Sequence, residues 1–139
     1  MSKVTVAKSA GFCFGVDRAV KMVYGELDSN TKVATLGPII HNQDVVNDMQ
    51  AKGARIINEV DELESDETLV IRSHGVGKAV YEQIKKKNNR MLDATCPFVS
   101  RIHKIVAEKT NENYFILIAG DEKHPEVQGI VGHCDENYL

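Results

Sequence analysis

Short apolar runs alternate with segments of helical periodicity along almost the whole chain. That alternation restricts the fold more than any other feature of the sequence. Residues 3–7 set Val4 and Val6 among polar neighbours and predict a strand. A loop, Gly11-Phe12-Cys13-Phe14-Gly15, leads into Val16, Ala19, Val20, Val23, Tyr24 and Leu27, which fall on one helical face. Residues 32–36 predict a second strand, stopped by Gly37-Pro38, and Val45, Val46 and Met49 mark a short helix ending near Gly53. Strands are expected again at 54–57, 68–71 and 91–94, with a helix over 76–87. A helix over 97–110 is expected to turn Val99, Ile102, Ile105 and Val106 inward. Residues 114–119 read as a buried apolar strand, and 126–131 begin a further helix. Strand-helix units in succession give an α/β fold with a mostly parallel sheet and right-handed crossovers.

In open sheets of this kind, ligands bind beyond the carboxyl ends of the strands. Cys13 follows the first expected strand, His41 the second, His74 the fourth, Cys96 the fifth, and His124 with Glu126 the sixth. The sharpest of these junctions is Asp93-Ala94-Thr95-Cys96-Pro97, where Pro97 suits the first helical position and leaves Cys96 at a helix N-terminus. The positive end of the helix favours a thiolate there by about 0.3–1 kcal/mol. Around Cys13, Gly11 and Gly15 let the backbone bend tightly, while Phe12 and Phe14 can shield a cofactor from water. A small buried thiol in a tight turn would also account for it. Three histidines at one edge make a donor-rich cleft suited to phosphate, although a structural role fits each alone. Glu126 reads as a proton donor or as an acid in the first turn of its helix. His103 lies seven positions beyond Cys96 on the same helical face, where it packs behind the site or faces solvent.

The net charge of −3 excludes a general nucleic-acid binder, because no basic block is present to neutralise a run of phosphates. Lys85-Lys86-Lys87 reads instead as cations at a helix C-terminus. No stretch approaches the roughly 18 apolar residues of a membrane span, so a cytoplasmic protein without a membrane partner is expected. The three cysteines form no C-x-x-C pair and no disulfide framework. A Cys/His zinc site using His41 or His74 stays open as an alternative.

The ordered motifs Gly11-Phe12-Cys13-Phe14-Gly15-Val16-Asp17-Arg18-Ala19, Ile40-His41-Asn42, Arg72-Ser73-His74-Gly75-Val76, Asp93-Ala94-Thr95-Cys96-Pro97 and His124-Pro125-Glu126-Val127-Gln128-Gly129 resemble the N-terminal part of the 4-hydroxy-3-methylbut-2-enyl diphosphate reductases, the IspH/LytB family. The resemblance implies a [4Fe–4S] cluster held by three cysteines, of which Cys13 and Cys96 match two. It implies that His41, His74 and His124 bind the diphosphate of the allylic substrate and that Glu126 delivers a proton. It implies a ferredoxin or flavodoxin type electron donor, and isopentenyl and dimethylallyl diphosphate as products in the non-mevalonate pathway. Family members are longer and carry three similar α/β domains around the cluster in a cloverleaf. The resemblance therefore divides this chain into an N-terminal strand and loop over 1–13, a complete α/β domain over 14–96, and the start of a second over 97–139. The third cysteine lies beyond residue 139, and Cys134 does not match it. As given, the chain is expected to be an inactive fragment of the reductase or a non-catalytic α/β module with a partial diphosphate cleft.

Overall fold

The structure, a computed structural model, describes residues 3–139. Four parallel strands form its sheet: β1 (Val33–Leu36), β2 (Arg55–Ile57), β3 (Thr68–Ile71) and β4 (Met91–Asp93), in the order β2-β1-β3-β4. The central pair is fully buried along its length, which is why both strands read as continuous runs rather than alternating ones. Val33 and Val70 turn to one face, against Ala19 and Val23 of α1 (Phe14–Asp28) and Met49 of α2 (Gln43–Ala51). Ala34, Leu36, Leu69 and Ile71 turn to the other. There they meet Ile84 of α3 (Lys78–Lys87) and Val60 of a 3-10 turn, Val60–Glu62. Ile57, Leu69 and Ile71 are fully buried, each stabilising the fold by about 1.5–3 kcal/mol.

The helices end as their sequences require. Asn42 caps α2 by accepting from the Val45 N–H at 3.1 Å. Asn88 closes α3 in the left-handed conformation, and the three lysines occupy its last turn, as expected. Beyond the sheet lie α4 (Pro97–Asn111) and α5 (Pro125–Val131). Glu67, buried at the sheet margin, is paired by two bonds, 2.8 and 2.7 Å, to Arg55, which holds its carboxyl below the usual range.

Three expectations are corrected. Residues 3–7 form no strand, and Val4 and Val6 are exposed, because no neighbouring strand offers them a ladder. Residues 114–119 are neither buried nor a sheet strand. They make one parallel bridge, Ile116 to Tyr138, and leave Tyr114, Phe115 and Leu117 in solvent. On α4 the inward stripe is Val99, His103, Val106 and Thr110, while Ile102 and Ile105 face outward. His103 is therefore a buried residue, not a solvated one.

Candidate functional site

The strand order reverses between β1 and β3. The crossover from β1 departs to β2 on one side, and β3 continues to β4 on the other. The loops that follow those two strands consequently part, and the crevice between them is where such sheets bind ligands. The β1 loop carries His41 and the β3 loop carries His74. Backbone bonds tie the loops side by side: the Ser73 N–H donates to the Ile39 carbonyl at 3.2 Å, and the Cys96 N–H donates to the Ser73 carbonyl at 2.8 Å. His41, His74 and Cys96 thus stand in a row at the carboxyl edge.

His124 joins them from α5, where it occupies the N-cap. Ring centroids are 4.4 Å apart for His41 and His74, 5.2 Å for His41 and His124, and 5.6 Å for His74 and His124. Among the described residues these three form the one group able to converge on a single ion, with one nitrogen from each lying within 4.8 Å of the others. The His124 Nδ1 accepts from the Glu126 N–H at 3.2 Å, so the neutral ring carries its proton on Nε2. Glu126 adjoins the trio through that bond and lines a neighbouring hollow with His124. Burial, with His41, Arg72 and His124 nearby, pushes His74 down from 6.5 to about 4, and its buried Nδ1 has no hydrogen-bond partner. An anion placed here would relieve both conditions.

Arg72 adds a fixed positive charge. It lies over Gly37, where a side chain would meet the guanidinium at 2.6 Å, and the positive φ of Gly37 (74°) also calls for glycine. Burial lowers the affinity of Arg72 for its proton, and its Nε has no partner. Sequence reasoning passed over Arg72 as a functional residue. The available signal was an arginine placed directly after a central strand, two residues before His74.

Cys13 and Cys96 cap α1 and α4 at their N-termini. Cys96 Sγ packs against Gly15, two residues after Cys13, so closely that a Cβ there would collide with the sulfur. Arg18 holds the two helix starts together by donating to the carbonyls of Thr95 and Asp93, each at 3.2 Å. It too was missed by the sequence reading. Asp93 accepts from the Tyr81 hydroxyl at 2.8 Å and from the Thr95 N–H at 2.9 Å, which stiffens the turn before Cys96. A hollow of about 210 Å³ runs from Phe12 and Val16, which flank Cys13, to His41 and His74. Both thiols are free. They suit two corners of a thiolate-bound group, because each stands at a helix N-terminus with a glycine clearing space beside Cys96. Cys134 is elsewhere. It lies past the far end of α5, with its thiol 3.7 Å from the Ile130 carbonyl, and burial pushes its pKa up.

No helix among the described residues is long and apolar enough to cross a membrane. The family model described as LytB protein matches residues 4–139. A 4-hydroxy-3-methylbut-2-enyl diphosphate reductase from Clostridioides difficile (strain 630) is 45% identical over 137 residues, which is 98% of this chain and 49% of that protein. One from Aquifex aeolicus is 42% identical over 134 residues, 96% of this chain and 46% of that one. Among solved structures, the reductase from Plasmodium falciparum superposes with a TM-score of 0.90 at 31% identity, covering 95% of this chain and 42% of its own. A second solved reductase, described as the terminal enzyme of the non-mevalonate pathway, gives 0.78 at 42% identity, over 96% and 47% of the two chains. The chain thus spans about half the length of the curated relatives it matches.

Proposed function

The chain belongs to the LytB protein family, and from that membership we propose that it serves the reductive dehydroxylation of 4-hydroxy-3-methylbut-2-enyl diphosphate to isopentenyl and dimethylallyl diphosphate. The observation that carries this reading is the convergence of His41, His74 and His124 beside Arg72 at the crevice between β1 and β3. Imidazoles and a guanidinium there offer N–H donors and positive charge to a diphosphate. His41 and His74 hold it from the sheet side, and His124 closes on it from α5. Glu126, next to His124, is the acid that delivers a proton to the allylic fragment. Phe12 and Val16 give the hollow an apolar side on which the hydrocarbon part lies.

Cys13 and Cys96 are the residues that would hold a [4Fe–4S] cluster, as two of its thiolate ligands. When bound, the cluster supplies the electrons that break the C–O bond, drawn from a ferredoxin or flavodoxin type donor. We assign 14–96 to one α/β domain and 97–139 to the start of another, preceded by the segment 1–13. A hollow of about 700 Å³ lined by Ile118, Val127, Val131 and Leu139 lies wholly within the second of these units.

Titrating the chain with inorganic pyrophosphate by calorimetry tests the clamp. Bound anion favours protonated imidazole, so affinity is expected to fall as pH rises through neutrality. His41→Ala or His124→Ala should weaken binding by roughly tenfold, equivalent to about 1.4 kcal/mol. Affinity that stays flat from mildly acidic to alkaline pH refutes the assignment. A second reading, zinc on the same three imidazoles, draws on the nitrogen separations and predicts stoichiometric zinc in the purified chain. The guanidinium of Arg72 beside the trio favours an anion over a cation.

A further inference from the structure

The unit carrying His124 is joined to the sheet domain along a narrow seam built from glycines and two stacked imidazoles. The His103 and His133 rings lie 4.4 Å apart at 23°. His133 Nε2 is 3.1 Å from the Val76 carbonyl. The other ring, His103, is 4% exposed and wedged between the two sides. Its Cε1 lies 2.6 Å from where a side chain on Gly75 would begin, and its Nε2 lies 3.2 Å from the corresponding point on Gly129. Gly75 directly follows His74, and Gly129 sits on the helix that His124 caps. A little further on, Gly77 and Gly132 meet backbone to backbone, with the Lys78 N–H donating to the Gly132 carbonyl at 3.0 Å. His103 Nε2 is buried without a partner. An orphaned nitrogen costs stability, and an apolar side chain would fill the space without that cost. The ring nevertheless fills the gap between the Gly75 and Gly129 backbones.

We infer that His103 is a positioning residue for the imidazole clamp: by filling the slot between Gly75, Gly129 and His133 it fixes where His74 and His124 stand relative to one another. The inference rests on the clamp reading above. It touches neither thiol and places no ligand on His103 itself.

The test uses the ¹⁵N-labelled chain and inorganic pyrophosphate. His103→Ala, with folding checked by circular dichroism, is expected to shift the ring resonances of His74 and His124. It should also weaken pyrophosphate roughly tenfold, and added imidazole, refilling the cavity, should restore both. His103→Val is a second variant: it fills only part of the slot and should produce a smaller shift of the same two rings even where His103→Ala fails to fold. Ring resonances that stay in place, with unchanged affinity, in a folded variant overturn the inference. Wild-type chain that does not bind pyrophosphate overturns the clamp instead, and the ring shifts still decide the role of His103.

Discussion

Replacing Arg18 with methionine isolates what ties the start of α1 to the turn before Cys96. Methionine keeps an apolar stem of similar reach and removes the guanidinium. Two bonds are lost, both at 3.2 Å and both spanning more than seventy positions of chain, to the carbonyls of Thr95 and Asp93. A typical hydrogen bond contributes about 0.5–1.5 kcal/mol, and these two are long and only partly buried, so the expected loss is about 1–3 kcal/mol. With a urea dependence of about 2 kcal/mol per molar for a chain of this size, the unfolding midpoint should fall by about 1 M. Stability alone does not show that the thiols have parted. A thiol-bridging fluorogenic reagent, applied in a Cys134→Ser background, reads their proximity directly. Bridging of Cys13 to Cys96 should drop several-fold in Arg18→Met while the total thiol count is unchanged. Arg18→Lys, able to reach one carbonyl, should fall between. If bridging in Arg18→Met equals wild type despite the lower midpoint, the clasp is packing and does not set the thiol geometry.

Acid should weaken the fold before carboxylates protonate. His103 and His74 are both held down from 6.5 to about 4 by burial. The unfolded chain therefore binds more protons between those values, and stability falls as pH drops through that window and is level above it. For the well-buried His103 the full effect is about 3 kcal/mol, and a urea midpoint unchanged between neutrality and pH about 5 would contradict it. At the seam, Gly132→Ala sets a methyl 2.5 Å from the Gly77 Cα, backbone that cannot turn aside, and should destabilise by about 1–3 kcal/mol. Gly25→Ala, inside α1 with nothing near the added methyl, should stabilise by about 0.5–1 kcal/mol in the same urea titrations.

How far the sequence reaches is visible in single elements. The strand at 68–71 lies where its four residues predict, because a central parallel strand is buried on both faces and reads as one apolar block. Residues 3–7, which alternate, and 114–119, an apolar run, are equally strand-like locally and form no sheet, since a strand exists only if another lies alongside it, and periodicity does not report neighbours. On α4 the isoleucines drew the expectation inward, whereas the buried stripe includes a histidine and a threonine. Hydrophobicity could not reveal that choice; only the seam explains it. The junction residues were legible because they are cysteines and histidines at loop positions; the strand order places His41, His74 and Cys96 at one edge, whereas Cys13 and His124 stand at the starts of α1 and α5 with no sheet strand before them. Arg18 and Arg72 were overlooked because an arginine on a helix or after a strand looks solvated until the carbonyls or the glycine it covers are known.

Because α2 leaves β1 toward one face and α3 leaves β3 toward the other, neither connection passes over the crevice between them. The sheet supplies a floor and two walls but no roof. Covering the crevice falls to α5, which is anchored by glycines and flat rings rather than by strand pairing. If the clamp proposed above holds a diphosphate, substitutions at the glycine seam beneath α5 are expected to change its residence time while the floor stays as it is.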